Sequence, residues 1–315
     1  MSEQPEAPLL TVRTAQPSTA PDNFRAGFAA LVGRPNVGKS TLLNALVGQK
    51  LSIVTPRPQT TRHRVLGLVN LADAQIAFVD TPGLHHGGKR ALNRAMNRTA
   101  STALADADLV VLVVEAPRYT DEDALALQRI RDSGRPSVLV VNKVDQVKPR
   151  DLLLPYMQQM SQRHAFLDIV PVSALKSDNL EALKKVIVAL LPLSPPLFDA
   201  GDVTDRDIKF RIAEMIREKL TLELNQEVPY GIAVEVERME REEGRLVVAA
   251  VIWVDREGQK PIVIGPIGAR LKRVGTAARH DMNVITGERL HLELWVKVRE
   301  DWADNAQALR ALGLE

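Results

Sequence analysis

The chain has 315 residues, 45% of them hydrophobic and 25% charged, which is typical of a soluble globular protein with room for two domains. It has no cysteine, which excludes disulfides and thiolate metal sites and favours a reducing, cytoplasmic compartment. The net charge of +2 gives no reason to expect a polyanion as partner, and no apolar run is long enough to span a membrane. The first residues lack a secretory signal, and we predict a disordered tail over residues 1–24.

Strands and helices alternate over the first two thirds of the chain. The predicted strands are β-branched and nearly continuously apolar; they are Ala26–Gly33, Ala74–Asp80, Asp108–Ala116, Ser137–Asp145 and Asp168–Ala174. Helical patterns lie between them, at Lys39–Leu46, Ala91–Ala105, Asp121–Ser133, Leu152–His164 and Asn179–Leu191. This alternation predicts an α/β domain over residues 25–192, with a mostly parallel sheet and helices on both faces.

The segment GRPNVGKST follows the first predicted strand and matches the phosphate-loop pattern G-x-x-x-x-G-K-[ST]. Its glycines let the backbone curl so that several N–H groups face one anion, and the next helix adds the positive end of its dipole. We expect Lys39 to reach the β- and γ-phosphates and the Ser40 hydroxyl to bind Mg²⁺. The predicted phosphate-binding residues are Gly33, Arg34, Pro35, Asn36, Val37, Gly38, Lys39, Ser40 and Thr41.

The tetrapeptide NKVD closes another predicted strand and selects guanine over adenine. The Asp145 carboxylate can accept hydrogen bonds from guanine N1–H and N2–H₂, and adenine has neither donor. Asn142 can bond the O6/N7 edge or brace the loop, and the stem of Lys143 can lie over the base. The strand end Ser173–Leu175 can offer backbone N–H groups to guanine O6. The predicted guanine-binding residues are Asn142, Lys143, Val144, Asp145, Ser173, Ala174 and Leu175.

Two further segments are predicted to respond to the γ-phosphate. The segment DTPG ends a strand, so Asp80 is placed to hold Mg²⁺ through a water and the Gly83 N–H to face the γ-phosphate. The basic loop Pro56–Arg64 supplies Thr61, which we expect to reach Mg²⁺ when a triphosphate is present. Lys39, Thr61 and Gly83 are the predicted catalytic residues. Thr81, Pro82 and Leu84 complete the predicted nucleotide contacts.

The residue after DTPG is Leu84, where many signalling GTPases carry a glutamine that orients the attacking water. Leucine cannot orient a water, so we predict slow intrinsic hydrolysis. His85 follows, and it is either a base or a solvent-facing loop residue; the second alternative is favoured.

The segment Leu191–Asp207 breaks the alternation, because its three prolines and one glycine cannot continue a helix. We predict a linker over residues 193–206 and a second, α+β domain over residues 207–315. Its predicted elements are the helix Asp207–Leu224, the antiparallel strands Gly231–Met239 and Gly244–Val254, a short helix up to Ile264, a helix from Ala269, and the strand Leu290–Val298.

A Gly-x-x-Gly segment, GPIG, lies between the last two predicted helices. Six basic residues and a single acid, Glu257, lie between Arg256 and Arg279 around it. From these residues alone the segment is either a clamp for a nucleic-acid backbone or a glycine turn, and the basic stretch is either a binding surface or a solvated helix face.

Taken in order, the motifs resemble those of the Era family of bacterial GTPases. The motifs are GRPNVGKSTLLN, PQTTRHR, DTPGLH, NKVD, VPVSAL, IREK, EVPY and LELWVKV. The resemblance covers the chain from about Arg25 onward. It implies an α/β P-loop GTPase domain followed by an α+β type II KH domain, with GTP, GDP and Mg²⁺ as ligands. It also implies binding near the 3′ end of small-subunit ribosomal RNA and a role in small ribosomal subunit assembly.

The resemblance makes GPIG the loop of a KH domain, which lets an RNA backbone approach closely. Family loops usually hold a basic and a small residue, whereas here Pro266 has no N–H and Ile267 has no charge. The basic contact would then come from neighbouring side chains. The predicted RNA-binding residues are Lys260, Ile264, Gly265, Pro266, Ile267, Gly268, Arg270, Lys272 and Arg273.

The resemblance further implies a K⁺ ion held partly by Asn36, a peripheral contact with the inner face of the cell membrane, and no binding to DNA. Two other functions stay open. One is a signalling GTPase whose second domain binds a protein or membrane surface. The other is a metabolic or RNA-modifying enzyme gated by GTP; the sequence has no second catalytic cluster or paired metal-ligand spacing to support it.

Overall fold

The computed structural model describes residues 21–58, 60–83, 91–224 and 231–314, which form two compact units. The first unit is drawn from residues 21–52, 61–83 and 97–205. The second is drawn from residues 53–58, 60, 91–96, 206–224 and 231–314, so it includes two short segments from within residues 25–192. Of the predicted tail, residues 1–20 lie outside the described residues, and Phe24 at its end is buried.

The first unit is built on a six-stranded sheet. Its strands are β1 (Arg25–Val32), β2 (Val65–Asn70), β3 (Ala74–Asp80), β4 (Leu109–Glu115), β5 (Ser137–Asn142) and β6 (Ile169–Pro171). The helices are α1 (Lys39–Val47), α2 (Ala91–Asp106), which begins in the second unit, α3 (Asp121–Ser133), α4 (Leu153–Ser161) and α5 (Leu180–Leu190). The strand order is β2-β3-β1-β4-β5-β6; β2 and β3 pair antiparallel and the other pairs are parallel. The predicted α/β fold with a mostly parallel sheet is confirmed.

The central strands are buried along almost their whole length, as their continuous apolar sequences require. Alternate residues of β1, β4 and β5 form one core with α2, α3 and α4; Leu112, Ile130 and Met160 are among its fully buried members. The sheet also contacts α1 and α5. Because all pairs except β2–β3 are parallel, the carboxyl ends of these strands lie at one edge of the sheet, and the predicted motifs follow them.

Strand β2 is not among the predicted elements, because Gly67 interrupts its apolar pattern. The glycine has a packing reason: a Cβ there would lie 2.6 Å from Leu43 Cδ1 and 2.9 Å from Val47 Cγ2. Bare backbone thus lets α1 pack closely on β2. The predictions for α4 and β6 were too long, since α4 ends at Ser161 and the strand ends at Pro171, which has no N–H to donate.

The second unit has a three-stranded sheet. Its elements are α6 (Ile208–Glu223), β7 (Ile232–Glu242), β8 (Arg245–Val254), α7 (Lys260–Ile264), α8 (Ala269–Thr286), β9 (Leu290–Val298) and α9 (Ala306–Ala311). The strand β8 pairs antiparallel with β7 and parallel with β9. Every second residue of β8 from Leu246 to Val254 packs with α6 and α8 in one core. The predicted order of elements is confirmed, and α9 is an addition that was not predicted.

Candidate functional site

The loop between β1 and α1 is shaped by two glycines. Gly33 and Gly38 have φ angles of 154° and 101°. A Cβ at Gly33 would lie 2.3 Å from the carbonyl oxygen of Val113, and one at Gly38 would lie 2.3 Å from Asn142 Nδ2. No side chain fits at either position, so the loop presents bare backbone to an anion at the start of α1, where Thr41 lies in the first turn.

Lys39 lies inside this loop. Its side chain is buried, and Nζ donates to the carbonyl oxygens of Gly33 and Arg34 at 2.8 and 2.9 Å. Burial lowers the pKa of Lys39 to about 8, although the Asp80 carboxylate acts in the opposite direction. A phosphate group in the loop would stabilise the charged form of Lys39, which is the role that the sequence predicts.

Three oxygen-bearing side chains meet beside Lys39. The Ser40 hydroxyl donates to Asp80 Oδ2 at 2.7 Å and lies 2.9 Å from Thr61 Oγ1. Burial raises the pKa of Asp80, and its Oδ1 atom is buried with no hydrogen-bond partner among the described residues. Hydroxyl and carboxylate oxygens with an unsatisfied acceptor fit a hard divalent cation. Ser40, Thr61 and Asp80 could therefore hold Mg²⁺, as predicted.

The DTPG turn runs beside the phosphate loop. A Cβ at Gly83 would lie 3.0 Å from the backbone nitrogen of Pro35, so the turn approaches the loop closely. Thr81 is buried and its hydroxyl donates to the Leu31 carbonyl at 2.9 Å, which anchors the turn to β1. Pro82 is also buried. The predicted contact at Leu84, together with His85, lies outside the described residues.

The sequence allows Asn142 either to bond the guanine O6/N7 edge or to brace the loop, and its hydrogen bonds in the structure brace the loop. Its Nδ2 donates to the carbonyl of Val37 at 2.8 Å, and its Oδ1 accepts from the Ala174 N–H at 3.0 Å. The residue is buried. Asn142 thus joins the phosphate loop to the Ser173–Leu175 segment, and both sides of the nucleotide site are held by one side chain.

Three of the seven predicted guanine-binding residues, Val144, Asp145 and Ser173, line an open cavity of about 640 Å³. Asp145 Oδ1 accepts from the Ser173 hydroxyl at 2.6 Å, which fixes the orientation of the carboxylate. Val144 and Asp145 both line the cavity, and Leu175 is largely exposed beside them. Lys143 has a left-handed backbone with φ of 62°, which turns the chain at the end of β5.

A carboxylate that the sequence analysis did not single out ties the two loops together. Glu115 Oε2 accepts from Arg34 Nη2 at 3.0 Å and lies 3.1 Å from Lys143 Nζ. Arg34 Nε also donates to Asp123 Oδ2 at 3.1 Å. Burial acts to raise the pKa of Glu115, but Lys143 and Arg34 hold it below its ordinary value. Glu115 could have been found from its position at the end of a predicted strand; in the structure it pairs with Asn142 across β4 and β5.

The GPIG segment joins α7 to α8 in the second unit. Gly265 and Gly268 both have positive φ angles, of 74° and 73°. A Cβ at Gly265 would lie 2.7 Å from Arg270 Cβ, whereas a Cβ at Gly268 would meet nothing within 4 Å. Pro266 and Ile267 between them are exposed. The loop therefore offers a narrow, glycine-flanked tip at the start of α8.

The predicted basic residues around this loop are differently engaged. Arg270 Nη1 donates to the carbonyl of Ile262, and Arg273 Nη2 donates to Glu223 Oε2 on α6 at 2.9 Å. Lys272 is exposed on α8, and Lys260 lies at the start of α7. Ile264 packs against the core of the unit. The predicted RNA-binding residues lie on α7, in the GPIG loop and at the start of α8, and both of the predicted arginines are held by other protein groups.

Two family matches cover separate parts of the chain. Residues 28–143 match the family described as "50S ribosome-binding GTPase", and residues 227–303 match the family described as "KH domain". GTPase Era of Stenotrophomonas maltophilia (strain K279a) is 50% identical over 289 residues, which are 92% of this chain and 97% of that protein. GTPase Era of Marinobacter nauticus is 48% identical over 298 residues, 94% of this chain and 98% of that protein.

Two solved structures are similar over nearly the whole chain. A crystal structure of a variant of Aquifex aeolicus Era bound to GDP·AlF4⁻ is 39% identical, with a TM-score of 0.89, and the match covers 92% of this chain and 99% of that one. A crystal structure of Era in complex with MgGDPNP and nucleotides 1506–1542 of 16S ribosomal RNA gives the same identity, TM-score and coverage.

The pKa of Lys39 predicts how GDP affinity depends on pH. Without nucleotide this pKa is about 8, and the negative phosphates of GDP raise it in the complex. GDP affinity is therefore highest below about pH 8, where Lys39 is charged in the free protein. Above that pH it falls by about tenfold per pH unit until the pKa of Lys39 in the complex is reached. Titration with fluorescent GDP between about pH 7 and pH 9 measures this slope. A Lys39→Gln variant binds more weakly and with a flat profile; the same slope in that variant would assign the titration to another group.

Glu115→Gln tests whether the shared carboxylate positions the two loops. It keeps the shape of the side chain and removes the charge that holds Arg34 and Lys143, so GDP and GTP-analogue affinities should fall together by about three- to tenfold. Calorimetric titration measures both affinities, and the unfolding temperature should change by less than about 2 °C. Asp121→Asn, an exposed substitution in the first turn of α3, is the control. Unchanged affinities in Glu115→Gln would contradict the positioning role.

Proposed function

Because the chain belongs to the Era family of GTPases, we propose that it is a GTP-hydrolysing switch that binds single-stranded RNA near the 3′ end of small-subunit ribosomal RNA and assists small ribosomal subunit assembly. GTP, GDP and Mg²⁺ are its nucleotides and cofactor. The observation that carries the proposal is the pairing of two sites in one chain. A phosphate and guanine site lies in the first unit, and a Gly-x-x-Gly loop between two helices lies in the second.

The residues of the nucleotide site supply positioning and charge. Mg²⁺, when bound, neutralises the charge that develops on the phosphate oxygens during phosphoryl transfer. Lys39 adds a positive charge beside the phosphates, and Ser40, Thr61 and Asp80 hold their oxygens at the cation position. These contributions are consistent with the slow intrinsic turnover that the sequence predicts. Asn36, whose backbone is left-handed with φ of 63°, stays the predicted contact for K⁺.

The geometry of the GPIG loop supports the clamp over the simple turn. An RNA backbone can approach a loop closely where side chains are absent. Only glycine fits at position 265, because a Cβ there would lie too close to the Cβ of Arg270. Only 4% of the residues are aromatic, so a platform of stacked aromatic side chains is a poor alternative. The loop therefore favours single-stranded RNA held by its backbone, with its bases against apolar surface.

The segment 53–60, part of the second unit, gives the switch a physical link. Arg217 on α6 donates to the Thr60 carbonyl at 2.5 Å while its guanidinium binds Glu214 at two points, both at 2.7 Å. Glu218 Oε1 accepts from the Val54 N–H at 3.0 Å. The next residue in the chain, Thr61, belongs to the first unit and lies beside Ser40. A change at the Mg²⁺ position that moves Thr61 must therefore strain or shift a segment anchored on α6.

A second segment makes the same connection. Residues 91–96, at the start of α2, belong to the second unit, where Leu92 and Met96 pack with Trp302 in one cluster. The Ala91 N–H also donates to Asp304 Oδ1 at 3.0 Å. The segment that precedes Thr61 and the segment that follows the DTPG turn are thus both anchored in the second unit. By linkage, if GTP strengthens RNA binding, RNA strengthens GTP binding by the same factor.

The alternative function is a signalling GTPase whose second unit binds a protein or membrane surface. It predicts binding that survives RNase treatment and requires lipid or a protein partner. Within the described part of the chain, no helix has both the length and the apolar character needed to cross a bilayer. Peripheral membrane contact and the lack of DNA binding stay predictions.

The proposal is tested by RNA binding of the wild type and Gly268→Asp. A Cβ at Gly268 meets nothing within 4 Å, and aspartate tolerates the left-handed backbone there at a modest cost in stability, so we expect the variant to fold. Its carboxylate would repel an RNA phosphate in the loop. Fluorescence anisotropy with single-stranded RNA from the 3′ end of small-subunit ribosomal RNA should show a loss of affinity of about tenfold or more.

Gly287→Asp is the matched control. Gly287 has the same positive φ, 71°, with open space around it, but it lies at the other end of α8. It should leave RNA affinity within about twofold of the wild type. Equal RNA binding by Gly268→Asp and wild type would contradict the clamp and favour a partner on another face.

A further inference from the structure

The GPIG loop contains a residue that its own backbone disfavours. Ile267 has φ of 50° and ψ of 31°, in the left-handed region. A side chain branched at Cβ is an outlier there, because the branch crowds the backbone. Six other non-glycine residues of the described chain have positive φ, and none of them is β-branched. The loop therefore keeps isoleucine at a position where glycine or asparagine would be relaxed.

Packing does not compensate for this strain. Ile267 is fully exposed to solvent, more so than any other large hydrophobic residue that the structure describes. It thus gains no stability from burial, and its backbone conformation costs stability. A strained, fully exposed apolar residue at a loop tip is better explained by a binding role than by the fold.

The surroundings of Ile267 indicate what it would contact. The loop has little means of attracting a phosphate by itself, since Pro266 lacks an N–H and the Gly268 N–H donates to the Gly265 carbonyl at 3.2 Å. Arg270 is turned to the Ile262 carbonyl, and Ile262 is itself 43% exposed. The tip of the loop is therefore apolar, with charge set back from it along α8.

We propose that Ile267 is a specificity-determining residue of the RNA site. Its side chain packs against the ribose and base face of an unpaired nucleotide, so that apolar contact replaces part of the usual attraction between loop and phosphate. These faces are accessible in a single strand and covered by stacking in a duplex, so the contact favours single-stranded RNA. The inference rests on the proposed RNA-binding function and assigns a role to a position where this chain departs from its family.

Three substitutions in the full chain separate shape, charge and strain. Ile267→Leu keeps an apolar side chain without the branch at Cβ. Ile267→Asn is polar and tolerates the left-handed backbone, and Ile267→Lys adds a charge. RNA affinity is measured by anisotropy with a single-stranded 3′-end RNA at several salt concentrations, and the unfolding temperature is measured for each protein.

We expect Ile267→Leu to bind within about twofold of the wild type and Ile267→Asn to bind about five- to tenfold more weakly. The salt dependence of Ile267→Asn should be unchanged, and its unfolding temperature should rise by about 2 to 4 °C because the strain is relieved. Ile267→Lys should approach wild-type RNA affinity only at low salt. Its plot of log affinity against log salt concentration should be steeper by about 0.7, the value for one added phosphate contact on a single strand.

The outcomes distinguish this inference from the function on which it rests. If Ile267→Asn binds like the wild type while Gly268→Asp does not, the clamp stands and Ile267 has no part in it. If Ile267→Asn loses both affinity and salt dependence, the contact is electrostatic and the apolar role is wrong. If Gly268→Asp also binds normally, the RNA site is not at this loop and both proposals fail.

Discussion

The nucleotide site depends on two glycines beside which no side chain fits and on a third that packs closely against the phosphate loop. The space beside Gly33 is filled by the Val113 carbonyl, that beside Gly38 by the Asn142 amide, and that beside Gly83 by Pro35. Because bare backbone is required at Gly33 and Gly38, and Gly83 packs closely on Pro35, the phosphate loop, the DTPG turn and the carboxyl ends of β4 and β5 lie close to one another. The remaining features follow from this closure: a lysine is buried with a lowered pKa, and a buried aspartate keeps an unsatisfied oxygen.

In the second unit a side chain is excluded at Gly265, where a Cβ would lie 2.7 Å from Arg270 Cβ, and the GPIG loop has an exposed apolar residue between its glycines. In the proposed switch, the chain itself connects the two sites. Glu218 and Arg217 of α6 bind the backbone of Val54 and Thr60, and the chain enters the first unit at Thr61 beside the Ser40 and Asp80 oxygens. The buried Arg217 binds both a carboxylate and a loop carbonyl, so the proposed switch predicts that movement of the loop is shared by α6.

The sequence predicted what is local and periodic. The phosphate loop, the NKVD segment, the parallel sheet and the order of elements in the second unit follow from short motifs and apolar patterns. Features that depend on tertiary contacts were missed. The role of Glu115 requires the register of β4 and β5, β2 was hidden by a glycine that α1 packing requires, and the membership of residues 53–60 in the second unit cannot be read from a continuous sequence. The departure at Ile267 was visible, but its strain was not, because only the fold sets its φ.

The coupling of the two sites is tested most directly by RNA affinity measured with GDP and with a non-hydrolysable GTP analogue, in the wild type and in Arg217→Lys. Lysine keeps the charge beside Glu214 but lacks the planar, forked donor group by which Arg217 binds both carboxylate oxygens and the Thr60 carbonyl. We expect the two nucleotides to change wild-type RNA affinity by about fivefold or more, and the variant to reduce that ratio toward one while each ligand alone still binds. Equal RNA affinity with both nucleotides in the wild type, or the full ratio in the variant, would contradict coupling through residues 53–60.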